Sequence, residues 1–130
     1  MVMDRIADML VRIKNAGMAK RPSVCVPYSR VLFEIAAVLK EEGYVSDVVV
    51  KGKKTRKEMV ISLRYENGAH AVSDVKRISK PSRRVYVGVR DITPVRHGHG
   101  IAVLSTPKGI MVGERAVREH VGGELLFHLW

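Results

Sequence analysis

The chain has 130 residues, with 23 lysines and arginines against 13 acidic residues and a formal net charge of +10. Hydrophobic residues make up 46% of it, which is enough to form a compact core and argues against a disordered polymer. The positive charge predicts a polyanionic partner, and no apolar stretch reaches the roughly 18 residues that a membrane-spanning helix needs.

The start of the chain and its cysteine content indicate a compartment. Residues Met1-Val-Met-Asp-Arg5 lack the basic and apolar segments of a secretory signal. The single cysteine, Cys25, cannot form an internal disulfide. We therefore expect a cytoplasmic protein with no membrane contact. Cys25 lies between two valines, so we expect its side chain to be buried.

The first predicted element is an amphipathic helix from Asp4 to Asn15. Its apolar residues recur at helical spacing, and Asp8 can pair with Arg12 one turn further along. Gly17 is predicted to end this helix.

A short strand and a second helix follow. The strand, Val24 to Pro27, ends at its proline, and Ser29 can cap a helix that Gly43 stops. The predicted inner face of this second helix consists of Val31, Leu32, Ile35, Ala36 and Leu39.

A hairpin is predicted next, with strands at Tyr44 to Val50 and Met59 to Tyr65. Its tip, Lys51 to Lys57, carries five cationic side chains. They form either a solvated turn or a contact to phosphates. The turn residues Glu66 to Ala69 suggest a boundary between an N-terminal α/β domain, residues 1–68, and a C-terminal β-rich domain, residues 69–130.

The second half is predicted to contain short strands, at Val72 to Ile78, Arg84 to Val89 and Ile101 to Leu104. A short helix follows from Glu114 to His120, in which Glu114 faces Arg118 and which Gly122-Gly123 ends. Glu124 to Trp130 is too apolar for a loose tail and is predicted to be a strand. The predicted fold is α+β, with two small packed halves.

A basic segment, Val75 to Tyr86, runs from the end of the first of these strands into the second. Its cations alternate with apolar residues and lead to the aromatic ring of Tyr86, an arrangement typical of a β-rich RNA-binding surface. The cations are Lys76, Arg77, Lys80, Arg83 and Arg84.

The stretch Gly100-Ile-Ala-Val-Leu-Ser-Thr-Pro-Lys-Gly-Ile-Met111 holds a polar turn between apolar runs. The hydroxyls of Ser105 and Thr106 suit base edges and ribose 2′-hydroxyls, and Lys108 suits a phosphate. Pro107 stiffens the turn, and Gly109 permits close approach of the backbone. An ordinary turn between a strand and a helix is the alternative interpretation.

Enzymatic and metal-binding patterns fit this sequence poorly. Lys108 precedes its glycine and no Ser or Thr follows it, so the phosphate-binding P-loop is absent. Ser105 is not in a G-x-S-x-G elbow. His97 and His99 lack the further ligands of a zinc site, so we expect no metal and no cofactor. Met9, Met59 and Met111 are expected to fill the core.

The sequence resembles a known family over essentially its whole length. The resemblance rests on Gly100 to Met111, Val121-Gly-Gly-Glu124, Lys76-Arg-Ile-Ser-Lys-Pro81 with Arg84-Val-Tyr86, Asp4 to Asn15 and Leu39-Lys-Glu-Glu-Gly-Tyr44. These motifs are similar to those of small-subunit ribosomal protein number eight, bacterial type.

The resemblance implies a primary binder of the central domain of small-subunit ribosomal RNA that helps to start assembly, beside neighbouring ribosomal proteins. It implies a protein that is monomeric when free and that represses its own messenger RNA by binding a mimic of the ribosomal site. The Ser105-Thr106 loop, Tyr86 and Glu124 would face the RNA. An acid there suits a base amino group and therefore specificity.

The chain departs from the family pattern at two places. Pro107 stands where the family has serine, which removes a third hydroxyl. Val112-Gly113 replaces a Thr-Asp-type helix start, which predicts a weak cap. Two other functions remain as alternatives at this point: a small phosphate-handling enzyme that uses Ser105 to Gly109, and a module that binds duplex DNA.

Overall fold

A computed structural model describes residues 4–130, so most of the segment used in the signal-peptide interpretation lies outside the described residues. The contacts divide the chain into two units, one of residues Arg5–Ser73 and one of Asp4 with Asp74–Trp130. Both contain helix and antiparallel sheet, which confirms the α+β class. No helix within residues 4–130 is long and apolar enough to cross a membrane.

The N-terminal unit packs two helices with a three-stranded antiparallel sheet in the order β1-β3-β2. A small hairpin, β4 with β5, follows the sheet. The elements are α1 (Arg5–Met18), β1 (Ser23–Pro27), α2 (Arg30–Glu41), β2 (Val45–Lys51), β3 (Glu58–Leu63), β4 (Tyr65–Glu66) and β5 (Ala69–His70). Its fully buried side chains include Met9, Leu10, Ile13, Ile35, Leu39, Met59 and Ile61.

Helix α2 begins as predicted, because the Ser29 Oγ accepts a hydrogen bond of 3.1 Å from the Leu32 N–H. The predicted inner face is correct except at Val31, which is 46% exposed. Cys25 is also exposed, contrary to the prediction. Its strand β1 lies at the edge of the sheet, where the face opposite buried Val26 is open.

The C-terminal unit is built on strand β10, which lies between β8 on one side and both β6 and β7 on the other. Strand β9 completes the sheet beside β8. The elements are β6 (Val75–Arg77), β7 (Tyr86–Val87), β8 (Ile101–Thr106), β9 (Gly109–Val112), α3 (Gly113–Arg118) and β10 (Gly123–Leu129), with short 3-10 turns at Val89–Asp91 and Arg96–Gly98. Phe127, Val103, Leu104, Ala116 and Leu129 are fully buried in this unit.

Helix α3 differs from its prediction in its ion pair. Arg115 pairs with Glu119 at 3.0 Å, whereas no ion pair found within residues 4–130 joins Glu114 to Arg118. The weak cap is confirmed, since Val112 makes no side-chain capping hydrogen bond.

All three helices end with the chain turning through the left-handed region. The residue after the C-cap has positive φ at Lys20 (58°), Gly43 (83°) and His120 (56°). In each case its N–H and the next N–H bond carbonyls of the last helical turn, the Schellman arrangement. Only α2 uses the expected glycine. Gly17 lies inside α1, and Gly122 and Gly123 lie after the turn that ends α3.

Candidate nucleic-acid interface

Three of the predicted site residues lie in one line across neighbouring strands. Glu124 of β10 is directly opposite Ser105 of β8 on one side and Tyr86 of β7 on the other. Directly opposed residues on antiparallel strands project from the same face of the sheet. With strands about 4.8 Å apart, the three side chains share a face over roughly 10 Å. We call Tyr86, Glu124 and Ser105 the polar row.

The polar row lies on the opposite sheet face from the Leu104 side chain, next to Val103, which is fully buried on the same face as Ser105. Leu104 precedes Ser105 in β8, and Met111 of β9 is directly opposite Leu104. Both side chains are buried, at 0% and 2% exposure. Tyr86 is 71% exposed. Because side chains alternate between the two faces of a strand, the polar row lies on the opposite face from Leu104 and Met111. Ser105 and Glu124 are partly buried there, and Tyr86 is the exposed member of the row.

The carboxylate of Glu124 is compensated by its neighbours. It accepts hydrogen bonds from the Ser79 hydroxyl and, at 3.1 Å, from the Arg84 guanidinium. Ser79 is completely buried and also accepts the Val85 N–H at 3.2 Å. An unpaired acid would repel a polyanion, but here the positive charge of Arg84 offsets it and Ser79 holds it in a fixed position.

The segment that carries Ser79 is fastened to β10 at a bulge. The register between β10 and β8 shifts between Leu125 and Phe127, which leaves Leu126 as the extra residue. The Leu126 carbonyl accepts the N–H groups of Ile78 and Ser79. Irregular pairing therefore positions the buried hydroxyl that holds Glu124.

Arg77 has an internal position in the C-terminal unit. Its side chain is 10% exposed, pairs with Asp4 at 2.9 Å, and donates to the Leu126 carbonyl. With its guanidinium occupied at the bulge, Arg77 supports the sheet and is not part of its exposed surface.

The polar turn is the loop of the β8–β9 hairpin, directly after the polar row. The Thr106 hydroxyl accepts the Lys108 N–H at 3.1 Å and donates to the Gly109 carbonyl at 2.8 Å. Gly109 has a φ of 115°, a value that favours glycine. Pro107, Lys108 and Gly109 are exposed. Thr106 therefore shapes the turn, whereas no described hydrogen bond within residues 4–130 uses the Ser105 hydroxyl.

Exposed cations surround these residues in the sequence. Lys80 and Arg83 exchange backbone hydrogen bonds of 2.9 Å in both directions, which closes the turn before Arg84. Lys80, Arg83, Arg84 and Lys108 are all exposed. The C-terminal unit thus combines cations, an exposed aromatic ring and hydroxyls, the groups with which proteins bind RNA.

The histidines of the predicted loop lie in a distorted 3-10 turn, where His97 has a φ of 55°. Within residues 4–130, no three His, Cys, Asp or Glu side chains come together as a metal site. No hydrogen bond in that part of the chain joins Ser105 to His97 or His99.

The comparison with known proteins decides the family. The sequence profile described as Ribosomal protein S8 matches residues 4–130. The chain belongs to the ribosomal protein S8 family. Small ribosomal subunit protein uS8 of Nitratidesulfovibrio vulgaris is 48% identical over 130 residues, 100% of both chains. Its namesake in Oleidesulfovibrio alaskensis has the same identity and coverage. That of Mycoplasma mobile is 41% identical over 129 residues, 99% of this chain and 97% of its own.

Membership makes the chain a structural, RNA-binding ribosomal protein of the cytoplasmic ribosome and excludes the enzyme alternative. Sequence reasoning missed two residues beside the polar row. Ser79, which holds Glu124, is separated from it by 45 residues in sequence, and its sequence does not distinguish it from Ser82, the other hydroxyl of the basic segment. Ile110 of β9 lies directly opposite Ser105 and places a partly buried apolar side chain beside the polar row, but its sequence pattern is that of an ordinary strand residue.

Proposed function

We propose that this chain is a structural constituent of the small ribosomal subunit and binds small-subunit ribosomal RNA through the polar row and the adjoining Thr106–Gly109 turn. The observation that carries the proposal is the alignment of Tyr86, Glu124 and Ser105 in one line on one sheet face, with the Tyr86 ring 71% exposed. The relatives named small ribosomal subunit protein uS8 match over nearly their full length, which supports the placement in the small ribosomal subunit.

Each group on this face has a chemical task. The exposed Tyr86 ring stacks on a base or ribose, and the Ser105 hydroxyl donates to or accepts from a base edge or 2′-hydroxyl. Lys80, Arg84 and Lys108 contact phosphates. Glu124, held by Ser79 and Arg84, accepts from a base amino group, which adds specificity rather than affinity.

The finer part of the proposal concerns the RNA. We place the site in the central domain of small-subunit ribosomal RNA, where the protein binds early and promotes folding, beside neighbouring ribosomal proteins. We also propose that the free protein is a monomer and represses its own messenger RNA through a structure that mimics the site. The division into domains at residues 68 and 69 likewise stays a proposal.

Chemical footprinting of full-length small-subunit ribosomal RNA tests the site. The expected result is one protected region in the central domain at protein concentrations that leave duplex DNA unbound. Protection of another domain would contradict the central-domain assignment. Equal binding of duplex DNA would contradict RNA specificity and favour the DNA-binding alternative.

A pair of serine variants tests the surface. Ser105→Ala should weaken binding to central-domain RNA by about 1–3 kcal/mol, because the RNA group that the hydroxyl satisfies stays buried without a partner. Ser73→Ala, at an exposed serine of the other unit, is the matched control and should bind normally. Equal affinity of both variants, folded by circular dichroism, would remove the polar row from the interface.

A further inference from the structure

The N-terminal unit carries its own concentration of positive charge at the tip of the β2–β3 hairpin, residues 51–57. All seven residues are exposed and none is acidic. No salt bridge within residues 4–130 engages its cations. We call this segment the basic tip. Its cations are Lys51, Lys53, Lys54, Arg56 and Lys57.

The backbone holds the basic tip in a defined shape. Lys51 pairs with Glu58 at the end of the β2–β3 ladder, and the Arg56 N–H donates to the Lys53 carbonyl at 2.9 Å. Gly52 has a φ of 105°, and a Cβ there would lie 2.2 Å from the Arg56 carbonyl oxygen. The cations are therefore held on one tight turn, which brings five like charges together, and the adjacent acid, Glu58, makes no salt bridge with them within residues 4–130.

A cleft of about 520 Å³ lies at the base of the tip. Three cations and one acid line it with neutral residues: Pro27, Tyr28, Lys54, Thr55, Arg56, Lys57 and Glu58. The Lys57 ammonium lies 5.5 Å from the centre of the Tyr28 ring, and the Tyr28 N–H donates to the Lys57 carbonyl at 3.0 Å. Cations beside an aromatic ring are the combination that accommodates a phosphate with its nucleotide.

We propose that the basic tip is a second RNA contact, at which its cations bind backbone phosphates and the cleft beside Tyr28 receives a nucleotide. This inference rests on the proposed RNA-binding function and adds a contact from the N-terminal unit. RNA is the favoured polyanion because the cleft offers an aromatic ring as well as charge, whereas an anionic membrane surface requires charge and an apolar face.

Two charge-matched double variants test the basic tip. Lys53→Gln with Lys54→Gln removes two charges from the tip, and Arg30→Gln with Lys40→Gln removes two exposed charges from α2 of the same unit. The tip variant should bind small-subunit ribosomal RNA about three- to tenfold more weakly at moderate salt. It should also flatten the plot of log affinity against log salt by between one and two units, because each phosphate contact contributes about one. The α2 variant should change both quantities much less.

Equal effects of the two double variants would mean that only net charge matters and would overturn the inference. Unchanged RNA binding of the tip variant would overturn it too. Binding to vesicles of anionic lipid is measured in parallel, and a tip variant that loses vesicle binding but keeps RNA binding would favour a membrane partner and overturn the inference. Ser105→Ala measured in parallel separates the two proposals. If Ser105→Ala weakens binding and the tip variant does not, the second contact fails and the proposed function stands. If the wild-type chain does not prefer ribosomal RNA at all, the proposed function fails.

A cleavage reagent attached at one cysteine supplies a direct readout. In a Cys25→Ser background, Lys54→Cys places the reagent on the basic tip, and the cysteine-free protein measures background cutting. RNA strand breaks above background are expected in the assembled complex. Their absence, in a complex whose footprint is intact, would contradict the contact.

Discussion

Close packing between α1 and the hairpin β4–β5 explains an unusual glycine. Gly17 lies inside α1 and is buried, and a Cβ at this position would lie 1.8 Å from Nδ1 of His70. The His70 Nε2 is buried and has no hydrogen-bond partner within residues 4–130. Gly17 is therefore required by the space that the His70 ring fills and not by a turn of the backbone.

Gly17→Ala should destabilise the protein by about 1–3 kcal/mol, although alanine usually favours an interior helical position, because its methyl group collides with the ring. In a His70→Ala background the collision is gone, so the same change should be neutral or stabilising by up to about 1 kcal/mol. Urea unfolding of the four proteins measures both effects. A stabilising Gly17→Ala in the wild-type background would contradict this packing.

Two partly buried histidines make stability depend on pH. Burial lowers the pKa of His70, with the hydrogen bond to the Val72 backbone opposing and nearby Lys20 adding to the effect. Burial and the charge of Lys76 lower the pKa of His128. Below an unfolded-state pKa of about 6.5 the unfolded chain binds these protons more readily than the folded chain.

The free energy of unfolding should therefore be highest with respect to these two histidines above about pH 7, and it should fall as the pH drops through about 6.5. The fall ends once both histidines are protonated in the folded state. Melting temperatures at pH 7.5, 6.5 and 5.5 measure the fall. His70→Gln and His128→Gln should each reduce it. A melting temperature that stays level or rises toward pH 5.5 would contradict the effect of burial.

At the scale of the elements, one bulge organises the end of the sheet that carries the polar row. Leu126 is the extra residue in β10, and its carbonyl fastens the segment that leads to Ser79. Ser79 then holds Glu124 between β7 and β8. The adjoining β8–β9 turn is held by Thr106. The site therefore depends on long-range pairing as well as on its exposed side chains.

Ser79→Ala should cost about 1–3 kcal/mol of stability, because Glu124 and the Val85 N–H both lose a buried partner. The same change should reduce the preference for central-domain RNA over scrambled RNA. It should hardly change the slope of log affinity against log salt, since no phosphate-binding cation is removed. Ser82→Ala, at an exposed serine three residues away, is the control. Thermal unfolding and competition between central-domain and scrambled RNA measure the two effects. A Ser79→Ala protein of normal stability would show that the buried hydroxyl is dispensable.

Variants of Thr106 and Lys108 should separate the effect of turn structure on RNA binding from the effect of charge. Thr106→Ala removes both hydrogen bonds that shape the turn and should lower stability and affinity together, whereas Thr106→Ser should retain most of each. Lys108→Ala should leave stability unchanged and flatten the salt slope by up to about one unit. Melting temperature and affinity across a salt series distinguish these patterns. An unchanged salt slope for Lys108→Ala would place this lysine away from phosphate.

At the scale of the whole molecule, the sequence predicted what local patterns determine. Periodicity and capping identified α1, α2, the β2–β3 hairpin and β10, because these depend on neighbouring residues. The prediction that Cys25 is buried was wrong, because its exposure depends on the edge position of β1 in the sheet. The link from Ser79 to Glu124 and the fit of Gly17 against His70 were not predictable, since each joins residues far apart in sequence.

The affinity of the wild-type chain for a central-domain RNA fragment, compared with a scrambled hairpin of equal length over a salt series, tests specific RNA recognition most directly. Both affinities should fall as salt rises, because the +10 chain releases counterions from either RNA. Only the central-domain fragment should retain binding at high salt, since hydroxyl, stacking and base contacts of the polar row release none. Equal affinities for the two RNAs at every salt concentration would contradict a specific site.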